Sequence, residues 1–464
     1  MKEKISPRVV GAIVATGLMS FCGVMVETAM NITFPTLMRE FRIGTSTVQW
    51  MTTLYLLVVA VMVPLSATLK RRFKMRNLFL VAISLFIAGV IIDGVAPAFW
   101  VLLLGRGIQG LGTGIALPLM FNIILEQVPA SKRGMMMGVG TMITGVAPAL
   151  GPTFGGLVVG AMSWRFIFAF LLPVLIVALV LGVSCIEQKS VPVAAQIDQL
   201  SVVLIVVTFC GLIFGISNWG AQPFISLPVA GALAVGVLAL IGFTHRCLTI
   251  SVPIINLRLF RNAAFVEALL AFAFVQIGSL SLSFLLPNYI QLVNHSSALI
   301  AGLVVLPGAA VGAVVGPLSG RWYDVAGART PLRTSAVISL LGTVGLWLLG
   351  NQLVNLAILF LYTLFMFGRG VGFGNIMTVG LNQLPTTDYA DGNAIFNTVQ
   401  QFTAALGISM AAAIMAAGQA HSASQVAGTI NGSVHSFAVL ALLTIIELVV
   451  LWHVTRKNIS PANA

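Results

Sequence analysis

The chain has 464 residues, 58% of them hydrophobic and only 8% charged, with a mean hydropathy of +1.04. A soluble globular chain carries about 25% charged residues, so this composition excludes a water-soluble enzyme, a disordered protein and a secreted disulfide scaffold. An integral membrane protein remains. The formal charge of +12 belongs to loops between spans, so nucleic acid is not an expected partner.

Apolar blocks long enough for about 20 helical residues select helices over an outer-membrane barrel. In chain order the spans fall near 9–34, 48–69, 77–97, 99–126, 134–160, 165–185, 198–217, 224–244, 263–292, 298–321, 331–350, 353–383, 394–418 and 434–454. The total is fourteen. The N-terminal apolar run after MKEKISPR continues through Val26 and reads as a retained first span rather than a signal peptide. Cys22, Cys185, Cys210 and Cys247 lie in or beside apolar blocks without metal-ligand spacing, and read as small core residues.

An even count puts both termini on one side. That side carries 19 of the 24 basic residues, including Lys70, Arg71, Arg72, Lys74 and Arg76, whereas Arg39, Arg42 and Arg165 fall opposite. The positive-inside rule makes the termini cytoplasmic.

PLSATLKRRFKMR after the second span has a counterpart 253 residues later in PLSGRWYDVAGAR, and GRGIQGLGTG at 105–114 has one in GRGVGFGN, 263 residues on. Two nearly equal offsets indicate a duplicated six-span unit with the seventh and eighth spans inserted between the copies. Transporters built from repeats bind substrate between the halves and expose it alternately to each side. The chain contains no GxxxxGK[ST] loop, which argues against direct use of ATP.

With these motifs the chain resembles the major facilitator superfamily and, within it, the fourteen-span drug:proton antiporters. The resemblance implies an all-α polytopic membrane protein of the major facilitator fold: an N-terminal six-helix bundle (1–190), two additional transmembrane helices (191–250) and a C-terminal six-helix bundle (251–464). In VETAMNITFP (26–35), Thr28, Asn31 and Pro35 match the family's first-span pattern, but the acidic residue sits one position later than usual, at Glu27. A carboxylate at mid-membrane costs about 2.5–3.5 kcal/mol even on insertion scales, so Glu27 should face a cavity or partner. A proton and a bound cation would compete for it. ETAMNITFP also looks like the branch associated with lincosamide-type antibiotic efflux.

Arg106, in LLLGRGIQGLGTG, resembles the fourth-span arginine motif, with Gln109 on the same helical face at i+3. The resemblance implies that Arg106 tunes proton transfer, with Glu27 as the acidic partner nearest in depth. GVAPALGPTFGG (145–156) resembles the antiporter motif through Gly151, Pro152, Gly155 and Gly156, which points to export. In the first cytoplasmic loop Ala67 and Arg71 replace the family's glycine and aspartate, so the gating role carries over only to the second copy, at Gly320, Asp324, Gly327 and Arg329. The family's cavity-lining spans supply Met25, Asn31, Gln109, Asn122 and Asn375 as cavity candidates, a set of thioether and amide side chains that adapts to varied shapes.

Glu267 lies one turn inside its span, within reach of Arg258 or Arg261, and is open to either a coupling or a structural role. Arg369 mirrors Arg106. Glu447 reads as structural, and Asp93 as a residue near the outer boundary. The expected function is proton-coupled export of small amphipathic drugs by a monomer in the lipid of the cell membrane, with no cofactor beyond the proton. Transport of a native lipid, peptide or metabolite, and a non-transporting membrane sensor, are the alternatives.

Overall fold

The computed structural model describes residues 5–188, 198–219, 222–250, 253–385 and 388–457; within helices, the side chains at 67, 68, 71, 125, 130–135, 137, 138, 141, 142, 144, 145, 149, 324 and 390 lie outside the description. Every described element is helical. A bilayer forces this, because no water is present in its core to satisfy free backbone groups.

The N-terminal bundle comprises α1 (Pro7–Ile32), α4 (Trp50–Arg72), α5 (Met75–Gly94), α6 (Phe99–Gln127), α7 (Ala130–Ala161) and α8 (Arg165–Cys185). Two short helices, α2 (Phe34–Phe41) and α3 (Thr45–Val48), connect α1 to α4. A hairpin follows, α9 (Gln199–Trp219) and α10 (Ala232–Thr249). The C-terminal bundle comprises α11 (Ala263–Leu292), α12 (Ala298–Ala326), α13 (Arg329–Leu348), α14 (Asn355–Leu381), α15 (Tyr389–Ala420) and α16 (Gln425–Lys457). Among the described residues, thirteen helical segments are long and apolar enough to cross a membrane, and α7, with its apolar stretch Val146–Ala161, completes fourteen spans.

The duplication is visible in the packing. In the first bundle α5 pairs with α6, α4 with α6, and α1 with α7; in the second, α13 pairs with α14, α12 with α14, and α11 with α15. The junction expected at 190/191 lies outside the described residues, as does 251 on the far side of the one expected at 250/251. The hairpin packs α10 on α9, and α9 in turn on α15 and α4, with Phe209 stacked on Phe402 at 4.5 Å between ring centroids. At its base Arg246 donates two hydrogen bonds to Asp198 (2.9 and 3.0 Å) and Ser201 donates a third (2.5 Å). These donors hold the Asp198 carboxyl down at about 2.

The two bundles meet on the side away from the termini, called outer here. Asn31 Nδ2 on α1 donates to Ser283 Oγ on α11 (3.1 Å), and Gln291 Nε2 donates to the Ile32 carbonyl (3.0 Å). Thr45 bonds Gln419 (2.8 Å) and Thr53 bonds Ser409 (3.2 Å), joining α3 and α4 to α15. On the opposite flank α7 and α12 touch backbone to backbone. A Cβ on Gly156 would stand 2.6 Å from the Ala298 carbonyl oxygen, and one on Gly302 would stand 2.5 Å from that of Pro152. Toward the termini, α12 carries exposed Val314, Leu318 and Val325, and a Cβ on Gly320 would meet nothing within 4 Å. Among the described residues, the hydrogen bonds that join the two bundles lie at this outer end.

The outer seal therefore depends on glycine at 302. Gly302→Val presses a side chain on the Pro152 backbone, and overpacking of this kind costs about 1–3 kcal/mol. We expect the closed state to lose about tenfold or more in population, read as faster reaction of a cysteine placed at Ser283 with an impermeant maleimide. Unchanged labelling would show that the seal does not rest on this contact.

Candidate functional site

Glu27 lies in the last two turns of α1, half-buried, and its carboxylate makes no hydrogen bond or ion pair among the described residues. Asn31, one turn on, reaches Ser283 of α11 and accepts from Thr52 of α4 at 3.1 Å. The two residues share a face, so Glu27 is on the side of α1 that looks toward the junction of the bundles. The one-residue displacement from the family position does not turn it away from the centre. It interacts electrostatically with Arg106 and Tyr55.

Arg106 is fully buried in the outer half of α6, and a guanidinium there needs acceptors because it cannot lose its proton. Nε donates to the Met51 carbonyl (3.1 Å), Nη1 donates to Gln109 Oε1 (2.6 Å), and the ring of Tyr55 lies 4.1 Å below the guanidinium carbon. Nη2 has no hydrogen-bond partner among the described residues. Tyr55 in turn donates to Thr113 Oγ1 (3.0 Å). The i+3 spacing of Arg106 and Gln109 thus closes a direct hydrogen bond.

Gln109 passes the interaction on. Its Nε2 donates to Asp93 Oδ2 at 2.7 Å. Asp93, read from sequence as a boundary residue, is 0% exposed, and its Oδ1 lacks a partner among the described residues. Room for it comes from Gly105, where any Cβ would collide with Asp93 Oδ1. Just beyond, Arg165 Nη2 donates to the Ala96 carbonyl (2.8 Å) while Nη1 donates to Glu40 Oε1 (2.8 Å), and Trp164 Nε1 donates to Glu40 Oε2 (2.7 Å). This clip holds the α5–α6 turn against α2 and α8, so the Trp164–Arg165 pair organises the outer rim around Asp93.

The cavity candidates separate. Gln109 is enclosed in the relay, and Asn31 is engaged in the outer seal. Asn375 is also buried, donating to the carbonyls of Val371 (2.9 Å) and Ser319 (3.3 Å). Buried amides satisfy neighbouring helices before they can serve a ligand. Met25 is about 160° around α1 from Glu27, and its carbonyl faces Gly151 of α7. Asn122 is half-buried on α6.

In the antiporter motif, a Cβ on Gly151 would collide with Thr28 Oγ1 and one on Gly155 would come 2.5 Å from the Ala29 carbonyl, while Gly156 faces α12. Pro152 is buried and presents its carbonyl to Gly302. The motif is therefore a double contact surface joining α1 to α12 through α7. In the second-copy loop Gly327 ends α12 at φ +72, a backbone region that favours glycine, and Arg329 starts α13 exposed. The Asp324 side chain lies outside the described residues. In the first copy Lys70 pairs with Glu126 of α6 at 2.5 Å.

Glu267 was expected within reach of Arg258 or Arg261. It meets His453 of α16 at 3.1 Å, because α11 packs along α16. Arg369 and Glu447 form a direct buried pair, Nη1 to Oε2 at 2.9 Å, with Arg369 over the Phe365 ring at 4.6 Å. Sequence separation hides both contacts.

Comparison with known proteins fits this architecture. Residues 16–408 match the profile of the Major Facilitator Superfamily. The chain belongs to that superfamily. It is 38% identical over 471 residues to the lincomycin resistance protein LmrB of Bacillus subtilis (strain 168), covering 98% of this chain and 97% of the relative. It is 28% identical to the multidrug resistance protein Stp of Mycobacterium tuberculosis (strain CDC 1551 / Oshkosh), over 87% of this chain and 75% of that protein. In fold it resembles a bacterial homolog of the human lysosomal transporter Spinster, in an inward-facing and occupied conformation, with a TM-score of 0.69 and 15% identity across 98% of this chain and 100% of that one. A POT family transporter in complex with 5-aminolevulinic acid gives a TM-score of 0.72 at 14% identity, across 97% of both chains. The protein is a multi-pass membrane transporter.

Two substitutions probe the buried cations. Arg106→Lys retains the charge but cannot reproduce the fork that holds Met51 and Gln109. We expect transport to fall at least tenfold although the protein stays folded, measured as substrate flux in proteoliposomes; normal flux would mean that charge alone suffices. Glu447→Gln leaves Arg369 buried without its counter-charge, and the thermal midpoint should drop by the equivalent of about 3–5 kcal/mol. An unchanged midpoint would show that Arg369 finds another acceptor.

Proposed function

We propose that this protein is a proton-coupled exporter of amphipathic, basic antibiotics of the lincosamide kind, working as a monomer within the lipid of a bacterial cell membrane by alternating access. Both termini face the cytoplasm in this reading, and with the bundles joined at the outer end the substrate loads from the cytoplasmic side. The bundles 1–190 and 251–464 rock about the central junction, and the 191–250 hairpin rides on α4 and α15. The substrate class rests on the full-length relation to a lincomycin resistance protein.

One observation carries the mechanism: the carboxylate of Glu27 faces the junction of the bundles, half-exposed and outside every hydrogen bond and ion pair among the described residues. A charged group in that position needs a counter-ion, which a cationic drug supplies from the inside and a proton supplies from the outside. Binding of one excludes the other. Arg106 keeps the local potential from being wholly negative and so weakens both ligands enough to leave. Each charge moved across the membrane is worth about 2.3 kcal/mol per 100 mV, sufficient for one proton to sustain a steep drug gradient. Asn31, Gly151, Pro152, Gly155 and Gly156 hold the outer seal closed during loading, and Asn122 faces the loading pathway. Glu267, paired with His453 near the inner end of α11, is assigned to bundle packing rather than coupling.

The test is lincomycin transport in proteoliposomes under an imposed pH gradient. Wild type should move the drug against its gradient, and Glu27→Gln should lose that movement by at least tenfold while retaining the folded thermal midpoint. Equal transport by both would remove Glu27 from the coupling reaction.

A further inference from the structure

The relay behind Glu27 contains more ionisable groups than the proposed exchange uses. Arg106 is the one cation in the cluster; Glu27 and Asp93 are two carboxylates; Tyr55 and Cys22 are neutral when protonated and donate or pack without charge. Arg165, on α8 beyond the α5–α6 turn, is already matched by Glu40. With both carboxylates ionised the cluster would carry a net negative charge inside a region that water does not reach on the Asp93 side. An unbalanced buried charge is among the most costly features a membrane interior can hold.

The geometry distributes the shortage unevenly. Glu27 is only partly buried, so that an ionised carboxylate there keeps some access to solvent. Asp93 is 0% exposed, receives only the neutral amide of Gln109, and points Oδ1 into the space that Gly105 leaves by having no side chain. Arg106 does not reach it directly, since Gln109 stands between them, bonded to both.

We propose that Asp93 carries a proton in this outer-closed state while Glu27 is ionised, so that the two carboxylates share one proton across Arg106 and Gln109. This inference rests on the coupling role given to Glu27 and adds the second seat. When a monovalent cation binds at Glu27, the O–H bond at Asp93 breaks and the proton passes to water that the rearranging cluster admits from the loading side. The Asp93 carboxylate then replaces Glu27 as the counter-charge of Arg106, leaving Glu27 to the cation. After outward exchange a proton bonds to Glu27 and the cation leaves; on return that proton moves to Asp93. One proton enters for each cation exported, and the cluster is neutral at both ends of the cycle.

Two measurements test it on the full-length protein in lipid nanodiscs. Infrared spectra of protein labelled with 13C at the aspartate side-chain carbonyl should show, at pH 7.5 and without ligand, a protonated aspartic C=O band that is absent in Asp93→Asn. Gln109→Met, which removes the amide donor, should shift that band without abolishing it, and this holds the assignment even if the asparagine variant does not fold. Absence of a protonated aspartic band in wild type overturns the proposal, whatever Glu27 does. Tetraphenylphosphonium, a permanent cation with no proton of its own to lose, should release about one proton per molecule bound to wild type and none in Asp93→Asn. Full release by Asp93→Asn would place the proton elsewhere. Undiminished binding and release by Glu27→Gln would instead sink the underlying role of Glu27, with the infrared band still deciding Asp93.

Discussion

The cost of an uncompensated charge in a hydrocarbon interior organises this molecule. Only 8% of the chain is charged, and most buried ionisable groups are visibly engaged. Arg369 has Glu447, and Arg106 has a carbonyl, an amide and an aromatic face. Glu27 is the exception on the central face of α1. Because a lone carboxylate there is tolerated only beside water or a counter-ion, the same energetic rule that fixes the scaffold also leaves Glu27 in need of an external partner, which the proposed exchange supplies. The outer seal follows from a second consequence of the bilayer. Helices gain little from burying apolar surface in lipid and must associate through close backbone approach and short polar bridges. Such bridges, Asn31 to Ser283 and Thr45 to Gln419, are few enough to break together when the bundles rock.

The span pattern was legible because length and apolarity alone decide whether a helix crosses a bilayer. All fourteen expected stretches coincide with helices, including the interrupted eighth, where Leu227–Gly231 forms a π-helical turn before α10. The Arg106–Gln109 bond was legible too, since i+3 spacing brings side chains together on any helix. What joins different helices was not. Asp93 is one residue from the end of α5, a position that reads as boundary; only the close crossing of α5 and α6 at Gly89 and Gly105 encloses it. The glycines were the available signal, but a glycine indicates close approach without saying what approaches.

The amides illustrate the same limit from the other direction. Asn31, Gln109 and Asn375 are polar residues on cavity-lining spans, which made them candidate ligand contacts. Each is instead occupied by neighbouring helices, because a donor and acceptor pair buried in lipid is costly unless both ends are satisfied. A sequence identifies the polar atom but not whether a neighbour has already claimed it. Met25 stands two residues before Glu27, most of the way to the opposite face of α1.

The two repeats end with the same arginine in different company, and the difference has a physical meaning. In the second bundle Arg369 touches its carboxylate directly at 2.9 Å, both partners being almost wholly buried. A contact pair of that kind is self-neutral, and exchanging either charge would strand the other at a cost of about 3–5 kcal/mol. In the first bundle the amide of Gln109 separates Arg106 from Asp93, with 2.6 Å on one side and 2.7 Å on the other. An interposed amide transmits orientation but leaves the guanidinium uncommitted, so its charge can be balanced from the Asp93 side or from the Glu27 side. Each repeat carries one such arginine; direct pairing makes the second a fixed brace, and in the proposed exchange a single intervening glutamine leaves the first able to switch.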